Sequence, residues 1–485
     1  MGQRARPAIA IVGSGFSGIG LAIRLKQAGF TDITMFEQAE NLGGVWRDNT
    51  YPGAACDAPA LLYSYSFAPN PDWSRRFAEQ PEILDYLRSC AIRYGITEHI
   101  VYGAEVTEAD FDAEAGVWRI RTRDGRAFAA DLLVSACGQL RRPARPALPG
   151  LGSFAGAVFH SAEWDHAHDL RGRSVAVVGN GASAIQFVPL IASDVARMHV
   201  FQRSPHWISV KPDRRYPRLR RLLNRRVPGL QKLARLAVFV WFELLLNPAL
   251  VTSKGRRLLS VHIGLLCRLA LRRVRDPALR RRLRPDYEPG CKRILTSNDY
   301  YRTLNRPNVA LVDDPIVAVH PHAVVTARGE YPVDTIILAT GFRSHDFVAP
   351  MRVIGPDGRE LGEEWRNGAR AYLGIAVSGF PNFFLMYGPN TNVGSGSIVH
   401  MLESQIAYIV QAAQALASGI RTLDVRKDVL DRFDEQTQKR LSTTVWNTGG
   451  CDSWYLDGRR NTNNWPGYMI EYRLRTRRFQ LTDYT

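Results

Sequence analysis

Three glycines near the amino terminus, Gly13, Gly15 and Gly18, directly follow a short apolar run and open an amphipathic stretch. In that arrangement Gly13 permits a tight turn, Gly15 lets the backbone approach a pyrophosphate, and Gly18 lets a helix pack on a strand. The first residues of such a helix offer free N–H groups and the positive end of the helix dipole to an anion. Glu37 ends a second strand-like run nineteen residues after Gly18, where a carboxylate suits two ribose hydroxyls. The pattern predicts a dinucleotide site, to which we also assign the intervening residues Phe16 and Ser17.

A second glycine pattern, Gly179-x-Gly181-x-x-Ala184, lacks the acidic residue of the first. Its second strand ends in Arg203 and Ser204 instead. A carboxylate would repel a 2′-phosphate, whereas a guanidinium can bind one through two N–H groups with a hydroxyl beside it. This site is therefore predicted to prefer NADP over NAD, and the alternative is that Arg203 is a solvated surface charge. The other loop residues assigned to the site are Ala182 and Ser183.

The elements that position these loops are two predicted βαβ units, one starting at Ile9 and one at Ser174. Residues 131–138, which lie between the two units, are predicted to form a strand. The Pro-rich stretch 141–152 follows and cannot continue a helix or a central strand. A matching strand at 334–342 comes well after the second unit. The order predicts one nucleotide domain interrupted by another.

The predicted fold class is therefore α/β, with two Rossmann-like dinucleotide-binding domains. The first is expected to be discontinuous, comprising 1–150 and 330–485, and the second to comprise 151–329. A helical, basic insertion in the second domain is expected at about 211–290.

That insertion carries almost all of the net charge of +17, because it holds 21 Lys and Arg against 5 Asp and Glu. Leucines lie at helical spacing among the arginines, and Pro228, Pro248, Pro277 and Pro285 are expected to break the segment into pieces. The first interpretation is an insertion whose cations attract a phosphate-bearing cofactor. The second is peripheral attachment to an anionic membrane through the apolar stretch 236–251.

A transmembrane span is a third interpretation of the insertion, disfavoured because Glu243, Asn247 and Pro248 interrupt an apolar stretch of sixteen residues. Nucleic-acid binding lacks a recognised module in this chain.

The six cysteines are scattered, with no C-x-x-C pair and no His-rich neighbours. This spacing predicts neither a metal site nor a redox disulfide, and it favours a reducing compartment. The amino terminus shows no separate apolar region followed by a small-residue cleavage site, so we expect a cytoplasmic protein. Two dinucleotide sites without a C-x-x-C pair also indicate a flavin that NADPH reduces and that passes its electrons to an acceptor other than a disulfide. Dioxygen is the simplest such acceptor.

A segment between the two units carries a family resemblance. Phe154, Gly156, His160, Trp164 and Asp165 are spaced as in the F-x-G-x-x-x-H-x-x-x-W-[P/D] fingerprint, and the segment resembles that of type I Baeyer–Villiger monooxygenases. The related flavin-containing N- and S-oxygenases usually carry another aromatic residue at the Trp position. The alternative is that His160 and Trp164 are packed linker residues, and both interpretations can hold together.

The resemblance spans nearly the whole chain and implies bound FAD with NADPH as reductant. The segment 43–57 is similar to one that flanks the flavin in the family and ends in Asp57. The pair Lys292 and Arg293 is implied to supply a lysine for the 2′-phosphate and an arginine at the flavin, with Asp57 holding Arg293 in place. Without the family, these two cations would be read as the end of an arginine-rich segment. The remaining residues implied to bind cofactor are Gly44, Val45, Trp46, Tyr63, Ala339, Thr340 and Gly341.

The reaction that the resemblance implies is the insertion of one oxygen atom of O2 into a small hydrophobic ketone through a C4a-peroxyflavin, giving an ester or lactone. Arg293 would stabilise the anions of that reaction without donating a proton. The nearest alternative is oxygenation of an amine or a sulfide. A non-catalytic nucleotide sensor is a rival of another class, which the retention of every cofactor motif disfavours.

Overall fold

The computed structural model describes residues 6–485, apart from the side chains of residues 253, 254, 258 and 259. The first five residues, which contributed to the prediction that a secretory signal is absent, lie outside the described residues. The helices are α1 Phe16–Gln27, α2 Val45–Asp48, α3 Gln80–Arg93, α4 Ala184–Ile191, α5 Arg218–Arg226, α6 Leu230–Trp241, α7 Asn247–Val251, α8 Ser253–Leu271, α9 Pro277–Arg282, α10 Tyr300–Thr303, α11 Leu361–Glu364, α12 Ile398–Ala417, α13 Lys427–Leu441, α14 Val445–Thr448 and α15 Met469–Arg475.

The strands are β1 Ile9–Val12, β2 Ile33–Phe36, β3 Ile100–Val101, β4 Val106–Asp112, β5 Val117–Thr122, β6 Ala127–Ala130, β7 Leu132–Ser135, β8 Ala157–His160, β9 Ser174–Val178, β10 Arg197–Phe201, β11 Ile208–Ser209, β12 Leu295–Thr296, β13 Val309–Val312, β14 Ile316–His320, β15 Ala323–Thr326, β16 Gly329–Pro332, β17 Thr335–Leu338, β18 Arg352–Ile354, β19 Phe383–Leu385, β20 Leu456–Asp457 and β21 Arg460–Asn461.

The first large sheet has the strand order β19-β7-β1-β2-β3, and all its neighbouring strands are parallel. All four residues of β1 and of β7 are buried. Strands that are covered on both faces read as continuous apolar runs, which is why they were visible in the sequence. The helix α1 connects β1 to β2 and packs against α12. The first glycine loop therefore lies at the carboxyl end of the central strand, where ligands of such sheets bind.

The second large sheet is also parallel, with the order β13-β10-β9-β17-β8. Its strand β17, Thr335–Leu338, lies between β9 and β8. The predicted domain boundary near residue 330 is wrong, because β17 still belongs to the second sheet. The chain returns to the first sheet only after Leu338. The sequence could not show this, since an apolar strand fits the centre of either sheet.

The basic segment 211–290 is helical as expected, and only Pro248 of its four prolines departs from the prediction, since Pro285 lies beyond α9 in a stretch without helix. Pro228 separates α5 from α6, and Pro277 begins α9, where its missing N–H costs nothing. Pro248 does not interrupt the helix, because residues Leu230–Val251 form one continuous helix. A widened π-type turn at Phe242–Leu246 ends two residues before the proline. That turn accommodates the ring that would otherwise clash with the preceding turn.

The helix Leu230–Val251 is, within the described residues, the one helix that is long and apolar enough to cross a membrane. The apolar stretch is therefore longer than the sixteen residues read from the sequence. The helix meets this criterion by its length and composition. Its contacts with the rest of the protein determine whether it can leave the protein surface.

The cysteine spacing predicted no redox disulfide and gave no sign of any other, but Cys291 and Cys451 are bonded to each other. The two residues are 160 positions apart in the sequence. A pairing over such a distance leaves no local spacing signal, so the absence of C-x-x-C did not exclude it. Cys56, Cys90, Cys137 and Cys267 are free.

Candidate active site

A cavity of about 1000 Å³ runs between the two large sheets and receives both glycine loops. The predicted residues that line it are Gly13, Gly15, Phe16, Ser17, Glu37, Gly44, Val45, Trp46, Asp57, Tyr63, Gly179, Gly181, Ala182, Ser183, Arg203, Ser204, Lys292, Arg293, Ala339, Thr340 and Gly341. Gly18 and Ala184 do not line it. The tertiary structure thus brings together residues that are widely separated in the sequence.

The first glycine loop is shaped by contacts that leave no room for side chains. A Cβ atom on Gly18 would lie 1.9 Å from the carbonyl oxygen of Gly13, so Gly18 serves the packing of α1 on β1. Gly15 and Gly44 approach each other across the cavity wall, and a Cβ on Gly44 would lie 3.3 Å from the Cα of Gly15. The start of α1 has no side-chain cap. Its N–H groups therefore remain available for a phosphate group.

Glu37 is almost completely buried and bound on several sides. Its carboxylate accepts hydrogen bonds from Ser14 Oγ at 2.6 Å, from the backbone N–H of Ala39 at 3.0 Å and from Arg47 Nη1 at 2.8 Å. A buried carboxylate needs such partners, because an unpaired one would be too costly to remove from water. The network holds the acid at the wall of the cavity in one orientation.

The second glycine loop is more open. A Cβ on Gly181 would meet nothing within 4 Å, so space for a ligand remains directly at the backbone. Lys292 Nζ donates a hydrogen bond to Ser204 Oγ at 2.8 Å, which joins two residues that the sequence assigned to the same phosphate. The side chain of Arg203 is 87% exposed and lies 3.8 Å from Asp452. The loop therefore presents two cations and a hydroxyl to one corner of the cavity.

The Arg293 guanidinium binds both carboxylate oxygens of Asp57, with Nε–Oδ2 and Nη2–Oδ1 distances of 2.8 Å each. About a third of each side chain is exposed, and both residues line the cavity. Burial by itself would raise the pKa of Asp57, but the charge and the hydrogen bonds of Arg293 more than offset this and hold that pKa below its usual value. The carboxylate in turn raises the pKa of Arg293. The cation is thus fixed in position and stays charged at neutral pH.

Lys292 and Arg293 are adjacent in sequence but bind different partners, so one short segment serves both halves of the cavity. Burial lowers the pKa of Lys292, and the charge of Arg203 lowers it further. A phosphate dianion placed beside both cations would relieve that repulsion. The pair lies directly after Cys291, whose disulfide ties this segment to residues near Trp454.

The fingerprint residues of 154–165 do not line the cavity. Phe154 and His160 are buried, and a Cβ on Gly156 would lie 2.1 Å from the carbonyl oxygen of Asp334. Trp164 packs with its ring centroid 5.2 Å from those of Phe159 and Phe187.

A link between the first half of the chain and the end of the fingerprint is the 2.8 Å hydrogen bond between Thr50 Oγ1 and His166 Nε2. The fingerprint region is a packed connection between the two halves of the molecule, which agrees with the linker interpretation.

The groups in the cavity wall fit a large polar ligand. Gln139 Oε1, Arg141 Nε and His206 Nδ1 belong to residues that line the cavity, and they have no hydrogen-bond partner within the described residues. Buried polar atoms without partners are rare in folded proteins. Together with the open space at Gly181, they indicate that the two loops are built around dinucleotides.

Sequence reasoning missed several residues that line the same cavity. They include Gln139, Tyr387, Ile398, Leu402 and Trp454. Tyr387 directly precedes Gly388-Pro389-Asn390, and Trp454 lies three residues after Cys451, but neither stands in a motif that marks a ligand site. Ile398 and Leu402 lie at helical spacing in α12 and could not be told apart from core residues.

Comparisons with known proteins agree with this geometry. Residues 6–243 match the family model described as flavin-binding monooxygenase-like. The chain is 43% identical to a Baeyer–Villiger monooxygenase of Streptomyces coelicolor over 98% of this chain and 92% of that protein. A Baeyer–Villiger monooxygenase of Pseudomonas aeruginosa is 42% identical over 98% of this chain and 90% of its own length. The chain belongs to the Baeyer–Villiger monooxygenases of the flavin-binding monooxygenase-like family.

Solved structures extend the likeness to three dimensions. An oxidized steroid monooxygenase bound to NADP superposes with a TM-score of 0.86, at 32% identity and 97% coverage of both chains. A closed structure of cyclohexanone monooxygenase gives a TM-score of 0.87, at 26% identity over 97% of this chain and 96% of that one. These comparisons confirm the family and the α/β fold that the sequence predicted.

Proposed function

We propose that this monooxygenase uses FAD, NADPH and O2 to convert a hydrophobic ketone to an ester or lactone. One oxygen atom enters between the carbonyl carbon and a neighbouring carbon, and the other leaves as water with the electrons of NADPH. The observation that carries the proposal is the Arg293–Asp57 pair at the wall of a cavity shared by two dinucleotide loops. The family to which the chain belongs supports the same reaction.

Each cofactor has a set of residues that would hold it. We infer that FAD is held by residues 1–150 together with 339–485, through the α1 loop, Glu37 and the segment near Gly44. NADPH is then held by 151–338, with Lys292, Ser204 and Arg203 at its 2′-phosphate. When bound, the flavin supplies the activation of O2 and the nicotinamide supplies the hydride.

The role of Arg293 is to stabilise negative charge. Its guanidinium lies in the cavity wall, is oriented by two hydrogen bonds, and gives up no proton at neutral pH. A fixed cation favours an anionic nucleophile and the anionic adduct of a ketone over neutral species, and it needs no reorganisation as charge develops. Asp57 is a positioning residue, because its carboxylate fixes the fork of Arg293.

Apolar and aromatic side chains of the cavity wall favour an apolar substrate. Tyr387, Ile398, Leu402 and Trp454 line the cavity. Burial raises the pKa of Tyr455, which lies near Arg293, to about 12, so its phenol stays neutral. A hydrophobic ketone is the substrate class that this lining fits.

The first experiment measures NADPH oxidation and products with the purified yellow protein and a panel of ketones, amines and sulfides. Ketone-dependent turnover should yield a product heavier by one oxygen, identified as an ester or lactone. Turnover on amines or sulfides alone would assign the protein to heteroatom oxygenation. A protein without flavin absorbance would contradict both.

The variant Arg293→Ala tests the role of the pair. It should keep FAD bound and reducible by NADPH, while ester formation falls by at least about a hundredfold, as when a preorganised anion-stabilising group is lost. Arg171→Ala is the control, because Arg171 is an exposed arginine that pairs with Asp169 and does not line the cavity. Ester formation by Arg293→Ala at the parent rate would refute the assignment.

A further inference from the structure

The exposed apolar side chains of this protein are concentrated in one short part of the chain. Fifteen of the twenty-four large apolar side chains that are exposed within the described residues lie between Leu219 and Leu269. Single exposed apolar residues are normal on a protein surface, whereas a concentration of this kind marks an interaction site. The concentration coincides with the basic helical segment.

The helix Leu230–Val251 has two opposite faces. Leu230, Leu233, Val240, Trp241 and Leu244 are exposed, and Leu233 and Leu244 each expose 65% of their surface. Their spacing places them along one side of a helix. We call this set, with Leu236, the apolar face. On the adjoining helices α5 and α8, Leu219, Leu222, Val261 and Leu265 are exposed in the same way.

The opposite side of the helix is bound to the rest of the protein. Arg235 donates hydrogen bonds to the carbonyl oxygens of Leu61 and Ser64 at 2.7 Å, and the ring centroid of Phe239 lies 4.7 Å from that of His400. Glu243 accepts a hydrogen bond of 2.7 Å from the backbone N–H of Ile470. These residues recur every four positions, so they form one polar and aromatic seam. A helix held by such a seam cannot leave the protein to cross a bilayer without losing these partners.

The charges around the apolar face have one sign. Between Arg218 and Leu269 the chain has eleven Lys and Arg residues against a single acidic one, Glu243, which is buried. Arg226, Lys232 and Arg268 are exposed and form no ion pair within the described part of the chain. A surface of apolar side chains rimmed by free cations matches an anionic lipid surface, where the apolar groups enter the bilayer and the cations meet the headgroups. Two copies of this face would instead bring like charges together.

We propose that the apolar face docks the protein on an anionic lipid bilayer as a peripheral, interfacial contact. The helix lies parallel to the membrane with its seam on the protein side. Phe239 and Arg235 join it to α12 through His400 and Glu403, and α12 also carries Ile398 and Leu402 of the cavity wall. The docked face is thus separated from the cavity by a single layer of helices.

The test is flotation of the flavin-loaded protein with vesicles of phosphatidylcholine, alone or mixed with phosphatidylglycerol. The protein should bind the mixed vesicles, bind the neutral ones weakly, and dissociate at high salt because screening weakens the contact of the cations. The variant Leu233→Glu/Leu244→Glu should bind at least about tenfold more weakly, because two apolar side chains leave the bilayer and two charges replace them. Its flavin absorbance and its turnover of a water-soluble ketone should be unchanged.

The matched control is Ile92→Glu/Val317→Glu, which places the same charges at two exposed apolar positions outside the segment and should bind like the parent. In a second measurement, brominated lipid should quench tryptophan fluorescence in the parent and much less in Trp241→Phe. Equal binding by the parent and Leu233→Glu/Leu244→Glu, or no binding by the parent, would overturn the proposal. A dimer that the same variant dissociates, without vesicle binding, would identify a second copy as the occupant and overturn it too. Release by detergent alone would indicate a span and refute a peripheral contact.

Discussion

The two glycine loops begin with the same turn and end in opposite surroundings. Gly13 and Gly179 have φ angles of 109° and 108°, and each lies against the backbone of a neighbouring strand. The first loop leads to Glu37, which is 4% exposed and bound by three residues. The second leads to Arg203, whose side chain is almost fully exposed. The same backbone turn therefore serves two sites that differ strongly in their exposure to solvent.

This difference fits the two roles that a reductant and a resident cofactor require. A ligand held by buried, preorganised groups is released slowly, because its partners would be left unpaired when it departs. A ligand held by exposed cations exchanges quickly, since water and salt replace its contacts at little cost. We infer that the first loop retains its dinucleotide through many turnovers while the second exchanges its own in each.

The largest expected effect comes from the tight packing of the first loop. Gly18→Ala places a Cβ within 1.9 Å of a backbone oxygen, which cannot move aside, so we expect a loss of more than about 3 kcal/mol of stability and little bound flavin. Gly181→Ala is the control, because its Cβ meets no atom. The control should melt like the parent in circular dichroism and lose only affinity for NADPH. If both variants melted alike, the two loops would not differ as described.

The second largest effect is expected when the disulfide between Cys291 and Cys451 is removed. Cys451→Ser removes a bond between the Lys292 segment and the loop of Asp452, and we expect it to cost about 2–4 kcal/mol. Thermal unfolding should move to lower temperature and the KM for NADPH should rise, while the flavin content stays constant. Cys267→Ser, at a free buried cysteine, is the comparison variant. Thiol counting should show two fewer free thiols in the parent than after reduction; an equal count would show that the bond is not formed.

Lys292→Ala should weaken NADPH binding more than any other change at the second site. A lost charge-assisted hydrogen bond to phosphate costs about 1.5–3 kcal/mol, which corresponds to a KM for NADPH raised about 10- to 100-fold. The KM for NADH should hardly change, because NADH lacks the 2′-phosphate. Steady-state kinetics with both reductants measures this. Arg171→Ala, at an exposed arginine paired with Asp169, should leave both constants unchanged.

The smallest effect is expected for Arg203→Ala. The side chain is exposed, and an exposed charge pair contributes at most about 1 kcal/mol, so the KM for NADPH should rise about fivefold or less. High salt should reduce the difference from the parent. A larger effect than that of Lys292→Ala would mean that the loop of Asp452 closes over Arg203 when NADPH binds, and the second site would then be less open than it is here.

Local sequence signals predicted the loops and the strands well. The turn at Gly13, the apolar strands and the breaks between helices at Pro228 and Pro277 depend on neighbouring residues, and backbone sterics act over those short distances. Pro248 is where such reasoning was wrong, because a π-type turn absorbed the proline within a continuous helix. The boundary near 330 was wrong for a similar reason: the composition of β17 did not specify its sheet.

The sequence by itself determined the chemistry available to this protein: two dinucleotide loops, a lysine and an arginine in succession, and a helical segment with the excess of positive charge. The tertiary structure alone decided which of these groups meet. Arg293 finds Asp57 across 236 positions, Cys291 finds Cys451 across 160, and one face of the helix Leu230–Val251 is buried while the other is exposed. Contacts over such separations depend on how two sheets and their connections pack together. Residue types and their spacing show which contacts are chemically possible. The packing of the folded chain determines which residues meet.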